Sequence, residues 1–220
     1  MLDSAEVRQW EEWFAVGLLY GVTTNPLLLQ RAQVPCQVPV LKALAVQALQ
    51  LGAQEVQIQA WGNTVERYLQ TGQALGEIDA RVVVKVPATR IGTTAAVRLL
   101  RQGIRVTLTG VYGIPQVIVA AAIGADYAAP YLGRIHDLGR NGCEDLIAMQ
   151  RALEGIESTT RLLVASIRRA ADIAILAAHK LNTFTISTVI AEELFNVRET
   201  LKATADFEQA AQPGVITSQC

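Results

Sequence analysis

Apolar and polar residues alternate along this chain in short, sharply bounded runs. The run around which the others fall into place is Arg81-Val-Val-Val-Lys-Val-Pro-Ala88. Four valines around one lysine describe a strand buried on both faces, as in a parallel sheet. Period-two alternation puts Val83 and Lys85 on one face and Val82, Val84 and Val86 on the other. Pro87 cannot donate to a ladder and ends the strand. Lys85 therefore falls near the carboxyl end of a central strand, with its amine inward. Further strand patterns cover 18–25, stopped by Pro26, then 55–61, 105–112, 127–132, 161–167 and 183–187. Within 55–61, Val56 and Ile58 share one face and Gln57 and Gln59 the other.

Helical patterns separate these runs. Val7, Trp10, Trp13 and Phe14 line one helix face, with Ser4 as a candidate N-cap and Gly17 as the stop. A helix over 38–50 stops at Gly52, and Asn63-Thr-Val-Glu66 has the form of a capping box. Helix 93–102 ends at Gly103, and Pro115 opens an alanine-rich helix that Gly124 closes. Residues 133–140 read as a polar loop with Arg134, His136 and Asp137. Asn141 and Glu144 cap a helix that ends at Gly155. Another helix reaches about Lys180, and a short one reaches Phe195. Asn196 and Glu199 cap a last amphipathic helix, 196–212, ended by Pro213; residues 213–220 remain as a tail.

A short first strand ending near Asp3 brings the count to eight β units, each followed by a helix. Strict β–α alternation implies a parallel sheet with right-handed crossovers. Eight units point to a closed (β/α)8 barrel, an α/β fold of TIM-barrel type with an extra C-terminal helix, spanning 1–220 as one domain. An open doubly wound sheet is the alternative, but its first turn would lack a Gly-rich phosphate fingerprint.

Composition narrows the function. With 220 residues, 51% hydrophobic and 18% charged, the chain can bury one large core. A net charge of -1 argues against nucleic acid or an anionic membrane as main partner. No apolar run is long enough to span a bilayer, and the first residues lack the basic start and apolar core of a signal peptide. Cys36, Cys143 and Cys220 match no zinc or disulfide pattern, which suits a reducing cytoplasm. His136 and His179 are the only histidines, so a transition-metal site is not expected. Cys143 lies near a helix start, where a thiol pKa can fall. His136 is given no role.

The chemistry gathers at the carboxyl ends of the strands, where barrels of this kind place their active sites. Inward positions there hold Asp3, Asn25, Gln59, Lys85, Thr109, Tyr131, Ser166 and Ser187. Packing alone does not explain such a set, because each buried polar group needs a partner. Of the four lysines, only Lys85 interrupts an apolar strand. Burial lowers a lysine pKa, and a neutral amine attacks carbonyls. The competing reading is a structural lysine paired with an acid. Arg134, Ser166 and Arg168 offer two guanidiniums and a hydroxyl suited to a sugar phosphate; the competing reading is solvated loop charge. Asp3 has a competing reading too, as a charge before a first helical turn.

Four stretches now carry a resemblance: Gly21-Val-Thr-Thr-Asn-Pro26, Val84-Lys-Val-Pro87, Ala129-Pro-Tyr-Leu-Gly-Arg-Ile135 and Ala165-Ser-Ile-Arg168. They resemble the signatures of the small transaldolase and fructose-6-phosphate aldolase family, in order and on the matching strands. The resemblance implies a class I, Schiff-base aldolase with no metal and no organic cofactor, in which Lys85 attacks the ketose carbonyl. It implies Tyr131 as acid/base, Gln59 and Thr109 as holders of a catalytic water, and Asp3 and Asn25 as residues that orient Lys85 and substrate hydroxyls. Arg134 and Arg168 match its phosphate positions, with Ser166 beside them. Transaldolases of the family carry phenylalanine, glutamate and serine where this chain has Tyr131, Gln59 and Ala129. The expectation is therefore reversible cleavage of fructose 6-phosphate to dihydroxyacetone and glyceraldehyde 3-phosphate. Transfer of the dihydroxyacetone unit between sugar phosphates is the alternative, and a non-catalytic sugar-phosphate-binding barrel is the second. The resemblance also implies a homo-oligomer, a pentamer or decamer, in which the last helix, with Leu201, Ala205 and Phe207, reaches a neighbouring subunit.

Overall fold

A computed structural model describes residues 1–212. The expected tail, with Pro213 and Cys220, lies outside the described residues. Strand and helix alternate: β1 (Leu2–Asp3), α1 (Val7–Ala15), β2 (Gly21–Thr23), α2 (Pro26–Arg31), α3 (Val38–Gln50), β3 (Glu55–Gln59), α4 (Val65–Gly76) and β4 (Val82–Pro87). The second half continues with α5 (Arg90–Leu100), β5 (Val106–Val111), α6 (Ile114–Ala122), β6 (Tyr127–Pro130), α7 (Leu132–Asp137), α8 (Gly142–Gly155) and β7 (Arg161–Val164). It ends with α9 (Ala170–Ala177), β8 (Thr183–Phe184), α10 (Thr188–Glu193) and α11 (Arg198–Ala210).

The eight strands run in sequence order, each parallel to the next. The ring closes where Leu2 bridges Ile186 in parallel; Asp3 N–H donates to the Ile186 carbonyl at 2.7 Å, and Ile186 N–H donates to the Met1 carbonyl at 3.0 Å. This is the expected (β/α)8 barrel, and the two-residue β1 is enough to complete it. The doubly wound alternative falls with that closure.

Two apolar layers follow from the alternation. Val82, Val84 and Val86 point outward and join the large cluster between sheet and helices. Val83 points inward, where it forms a small separate cluster with Tyr127, Ala129 and Leu163. The rest of the lumen is polar. Thr23, Glu55, Gln57, Thr107 and Thr185 are all buried there. Glu55, Arg105, Tyr127 and Arg161 stand at or just before the starts of their strands, so they form the barrel floor. Gly21 has no room for a side chain: a Cβ would come within 2.0 Å of the Glu55 carbonyl oxygen.

Several boundaries differ from the sequence pattern. The strand pattern over 18–25 shrinks to Gly21–Thr23, with Leu18 and Tyr20 exposed. Residues 26–31, which the pattern left unassigned, form α2 with Pro26 at its first turn. The expected polar loop with Arg134, His136 and Asp137 is the helix α7. Helix α5 starts at Arg90, three residues before the pattern. Ser4 does not cap α1; it accepts from Glu6 N–H and donates to Gln9. The cap of α4 is Thr64, not Asn63, and accepts from Arg67 N–H at 3.1 Å. Asn196 does not cap α11, whose N-cap is Val197 with no side-chain bond. Asn141 does cap α8, by accepting from Glu144 N–H.

Candidate active site

The carboxyl mouth of the barrel holds a cavity of about 400 Å³. Lys85 lines it from β4, only 4% exposed. Asp3, Asn25, Tyr131, Arg134, Ser166 and Arg168, all expected at the site, line the same cavity. Each arrives by a local rule of chain geometry. Asp3 ends β1, and the Thr23 hydroxyl donates to its Oδ1 at 2.6 Å. Asn25 is the N-cap of α2; its Oδ1 accepts from Leu27 and Leu28 N–H, which leaves its amide nitrogen free for a ligand. Tyr131 is the N-cap residue of α7, one step past β6. Ser166 is held in the left-handed region, φ 58°, a conformation that costs a non-glycine residue on the order of 1 kcal/mol and clusters at functional sites.

Burial dominates the electrostatics at Lys85. It lowers the amine's pKa below the usual 10.5, and the Asp3 carboxylate partly offsets this by favouring the ammonium. The amine donates to the Thr24 carbonyl at 3.3 Å. No carboxylate makes a salt bridge with it among the described residues, so the structural ion-pair reading of this lysine lacks its pair. Tyr131 shifts the other way. Burial raises its phenol pKa, against the pull of the Thr109 hydrogen bond and of Arg134. The phenol is therefore protonated at neutral pH. Its hydroxyl bonds Thr109 Oγ1 at 2.8 Å, Tyr112 packs edge-on at 5.7 Å, and the Arg134 guanidinium stacks 4.6 Å from the ring centroid.

The remaining expected residues stand behind this front. Gln59 is the register partner of Lys85 on β3, half-buried and on the inward face. Thr109 is buried and reaches the cavity through Tyr131. Ala129 is buried in the inner cluster and is not among the residues lining the cavity. Ser187, taken as an inward rim residue, caps α10 by accepting from Ile190 N–H. Arg168 is not free: it makes a two-pronged ion pair with Asp137 at the end of α7. Gly133 allows that approach, since a Cβ there would meet Arg168 Nε at 2.7 Å and the Ser166 carbonyl at 2.5 Å.

The chain belongs to the transaldolase/fructose-6-phosphate aldolase family. The model of that family matches residues 1–219. A protein named probable transaldolase from Bacillus cereus is 34% identical over 183 residues, 81% of this chain and 82% of that protein. Another so named, from Aquifex aeolicus, is 31% identical over 167 residues, covering 76% of this chain and 75% of its own. Among solved structures, a mandelate oxidase mutant aligns with TM-score 0.58 at 16% identity, over 89% of this chain and 65% of its own. The flavin-binding domain of baker's yeast flavocytochrome b2 aligns with TM-score 0.55 at 14% identity, over 85% and 56%. These two show the barrel fold and nothing about the chemistry.

Sequence reasoning missed four lining residues: Leu27, Leu28, Arg31 and Ala165. The first three lie on α2, which is too short to announce itself by periodicity. Cys143 departs from expectation. Burial and the nearby Asp172 push its thiol pKa up, so the helix start does not activate it. His136 belongs to α7 and not to a loop.

Proposed function

We propose that the protein is a Schiff-base aldolase that cleaves fructose 6-phosphate reversibly to dihydroxyacetone and glyceraldehyde 3-phosphate. The observation that carries this reading is one cavity lined by both a buried lysine amine, bonded only to a backbone carbonyl, and a phenol held by Thr109; burial pushes the amine toward its neutral form and keeps the phenol protonated. Lys85 Nζ attacks the ketose carbonyl carbon. Tyr131 donates its proton to the departing carbinolamine hydroxyl, which leaves as water, and a protonated imine remains. The phenolate then takes the proton of the C4 hydroxyl as the C3–C4 bond breaks, with the electron pair flowing to the imine nitrogen. Glyceraldehyde 3-phosphate departs. The enamine left on Lys85 is protonated at carbon by the recovered phenol, and water releases dihydroxyacetone. Gln59, being neutral, and Thr109 hold water for these transfers. Asp3 and Asn25 orient Lys85 and the substrate hydroxyls, and Arg134, Ser166 and Arg168 bind the phosphate.

A coupled assay tests it. Fructose 6-phosphate alone is expected to release glyceraldehyde 3-phosphate. Negligible release, with rapid sedoheptulose 7-phosphate formation once erythrose 4-phosphate is added, would instead make it a transaldolase. That second reading is favoured by the names of the relatives from Bacillus cereus and Aquifex aeolicus.

The same reading includes a homo-oligomer. Helix α11 buries no residue, and Leu201 and Phe207 stand 54% and 70% exposed. Such a face needs an occupant, and a neighbouring subunit is the one the family offers. Light scattering at micromolar concentration is expected to show a pentamer or decamer; a monomer would sink the idea.

A further inference from the structure

We infer that Arg31, on α2, is a phosphate-binding residue that sets this protein's preference for phosphorylated substrates. The inference rests on the aldolase-family reading of the cavity above and names a residue that reading did not use.

Asn25 caps α2, and Leu27, Leu28 and Arg31 line the cavity from that helix. Positions 27, 28 and 31 fall on one helical face, since residues three and four apart are neighbours. The helix thus presents two leucines and then a guanidinium to the same cavity that Lys85 enters. Arg31 is exposed, and a long side chain can lay its stem on apolar neighbours and aim its charge into the cavity it lines.

Charge then separates the arginines. Arg31, Arg134 and Arg168 all line the cavity. Arg168 is already neutralised by Asp137, which its guanidinium meets with both prongs. Asp137 in turn is held below the usual carboxylate range by Arg168. Among the described residues, neither Arg31 nor Arg134 makes a salt bridge. A sugar phosphate brings a charge of about -1.5 to -2 at neutral pH. The two unpaired guanidiniums match that charge, while Arg168 contributes only as far as Asp137 releases it. Arg134 is further fixed by stacking on Tyr131, which places one anion-binding group beside the acid/base and leaves Arg31 to close on the phosphate from α2.

The test compares aldol synthesis from dihydroxyacetone with two acceptors, glyceraldehyde 3-phosphate and unphosphorylated glyceraldehyde. Wild type, Arg31→Gln and Arg31→Lys are measured side by side, with inorganic phosphate titrated against each protein by calorimetry. In Arg31→Gln, the ratio of kcat/KM for the phosphorylated over the plain acceptor is expected to fall about tenfold or more, the loss of one charge-assisted hydrogen-bonded contact. Arg31→Lys should recover part of it as a point charge. Phosphate affinity should fall in parallel in Arg31→Gln. An unchanged ratio, or an equal fall with both acceptors, overturns the inference. If wild type shows no aldol chemistry at all, the aldolase reading fails by itself, and the calorimetric comparison still decides Arg31: equal phosphate affinity in wild type and Arg31→Gln overturns it.

Discussion

The two ends of this barrel use buried polar residues in opposite ways. At the floor, every group answers another. Glu55, 1% exposed, accepts from Gln57 at 2.8 Å and from Tyr127 at 3.0 Å, and Arg105 reaches it at 2.9 Å. Thr107 donates to Gln57 at 2.8 Å, Arg105 also grips Asp126, and Arg161 bonds the Tyr127 hydroxyl. At the mouth, the central amine has fewer and weaker partners. Lys85 has one carbonyl, that of Thr24, at 3.3 Å. Buried polar groups are almost always satisfied, so a buried amine this poorly partnered in the cavity marks where a ligand or water can complete the network. Burial alone does not separate structure from function here; the state of the partners does.

If that contrast is right, Lys85 variants lose chemistry and keep the fold. Lys85→Arg is the largest expected effect. A permanent guanidinium cannot attack a carbonyl, so turnover should fall to the assay background while circular dichroism stays native. Borohydride trapping with dihydroxyacetone should mark Lys85 in wild type and nothing in the variant. An adduct mapped to Lys42, Lys180 or Lys202 would break the comparison, because the reactive amine would then lie outside the mouth.

The floor should behave in reverse. Glu55→Gln takes away the charge that Arg105 and Tyr127 address. Breaking a buried pair costs roughly 3–5 kcal/mol, and Arg105 is about a third exposed, so roughly 3 kcal/mol is expected. Denaturant unfolding measures it. The folded fraction should keep its imine trapping at Lys85. A stable variant with lost trapping would mean that the floor reaches the chemistry through Gln57 and Gln59, which point inward from the same strand.

Tyr131→Phe sharpens the mouth side. It removes the proton carrier and leaves the nucleophile in place. Cleavage is expected to fall about 100-fold, within the usual range for one general acid/base, while the end-point of trapping at Lys85, read after incubation long enough that slowed carbinolamine dehydration does not limit it, changes far less. Equal losses in both would place Tyr131 in the structure of the rim instead.

Much of this arrangement was legible in the sequence, and the failures have physical reasons. The valines of β4 announce a strand buried on both faces, and Gln57 and Gln59 declare the inward face of β3. Both follow from period-two alternation, which survives burial. Arg31 was not legible. Helix α2 has six residues with three leucines in a row, too short to show a 3.6-residue period. Nor was the pairing of Arg168 with Asp137, which joins residues 31 positions apart through an α7 whose polar residues read as a loop. The floor network was half visible. Gln57 stood on the predicted inward face, but its partners come from strands whose register only the closed ring determines.

The smallest effect tests the cost of holding Lys85 ready. Its pKa is lowered in the folded chain from the usual 10.5, chiefly by burial. Between the folded value and 10.5 the unfolded chain binds the extra proton, so this group makes stability rise with pH across that window. Below the folded value both states are protonated, the slope vanishes and the full penalty is present. Lys85→Met has similar length and no charge, so it removes both the penalty and the slope. The variant should therefore unfold at higher denaturant than wild type at neutral pH, and the gap should shrink as pH climbs toward 10.5. Denaturant titrations of both proteins across that range measure the gap directly, and other titrating groups cancel because they are common to both chains. A gap that stays constant with pH would mean that Lys85 is no more costly to charge than a surface lysine, and the mouth would then be as well satisfied as the floor.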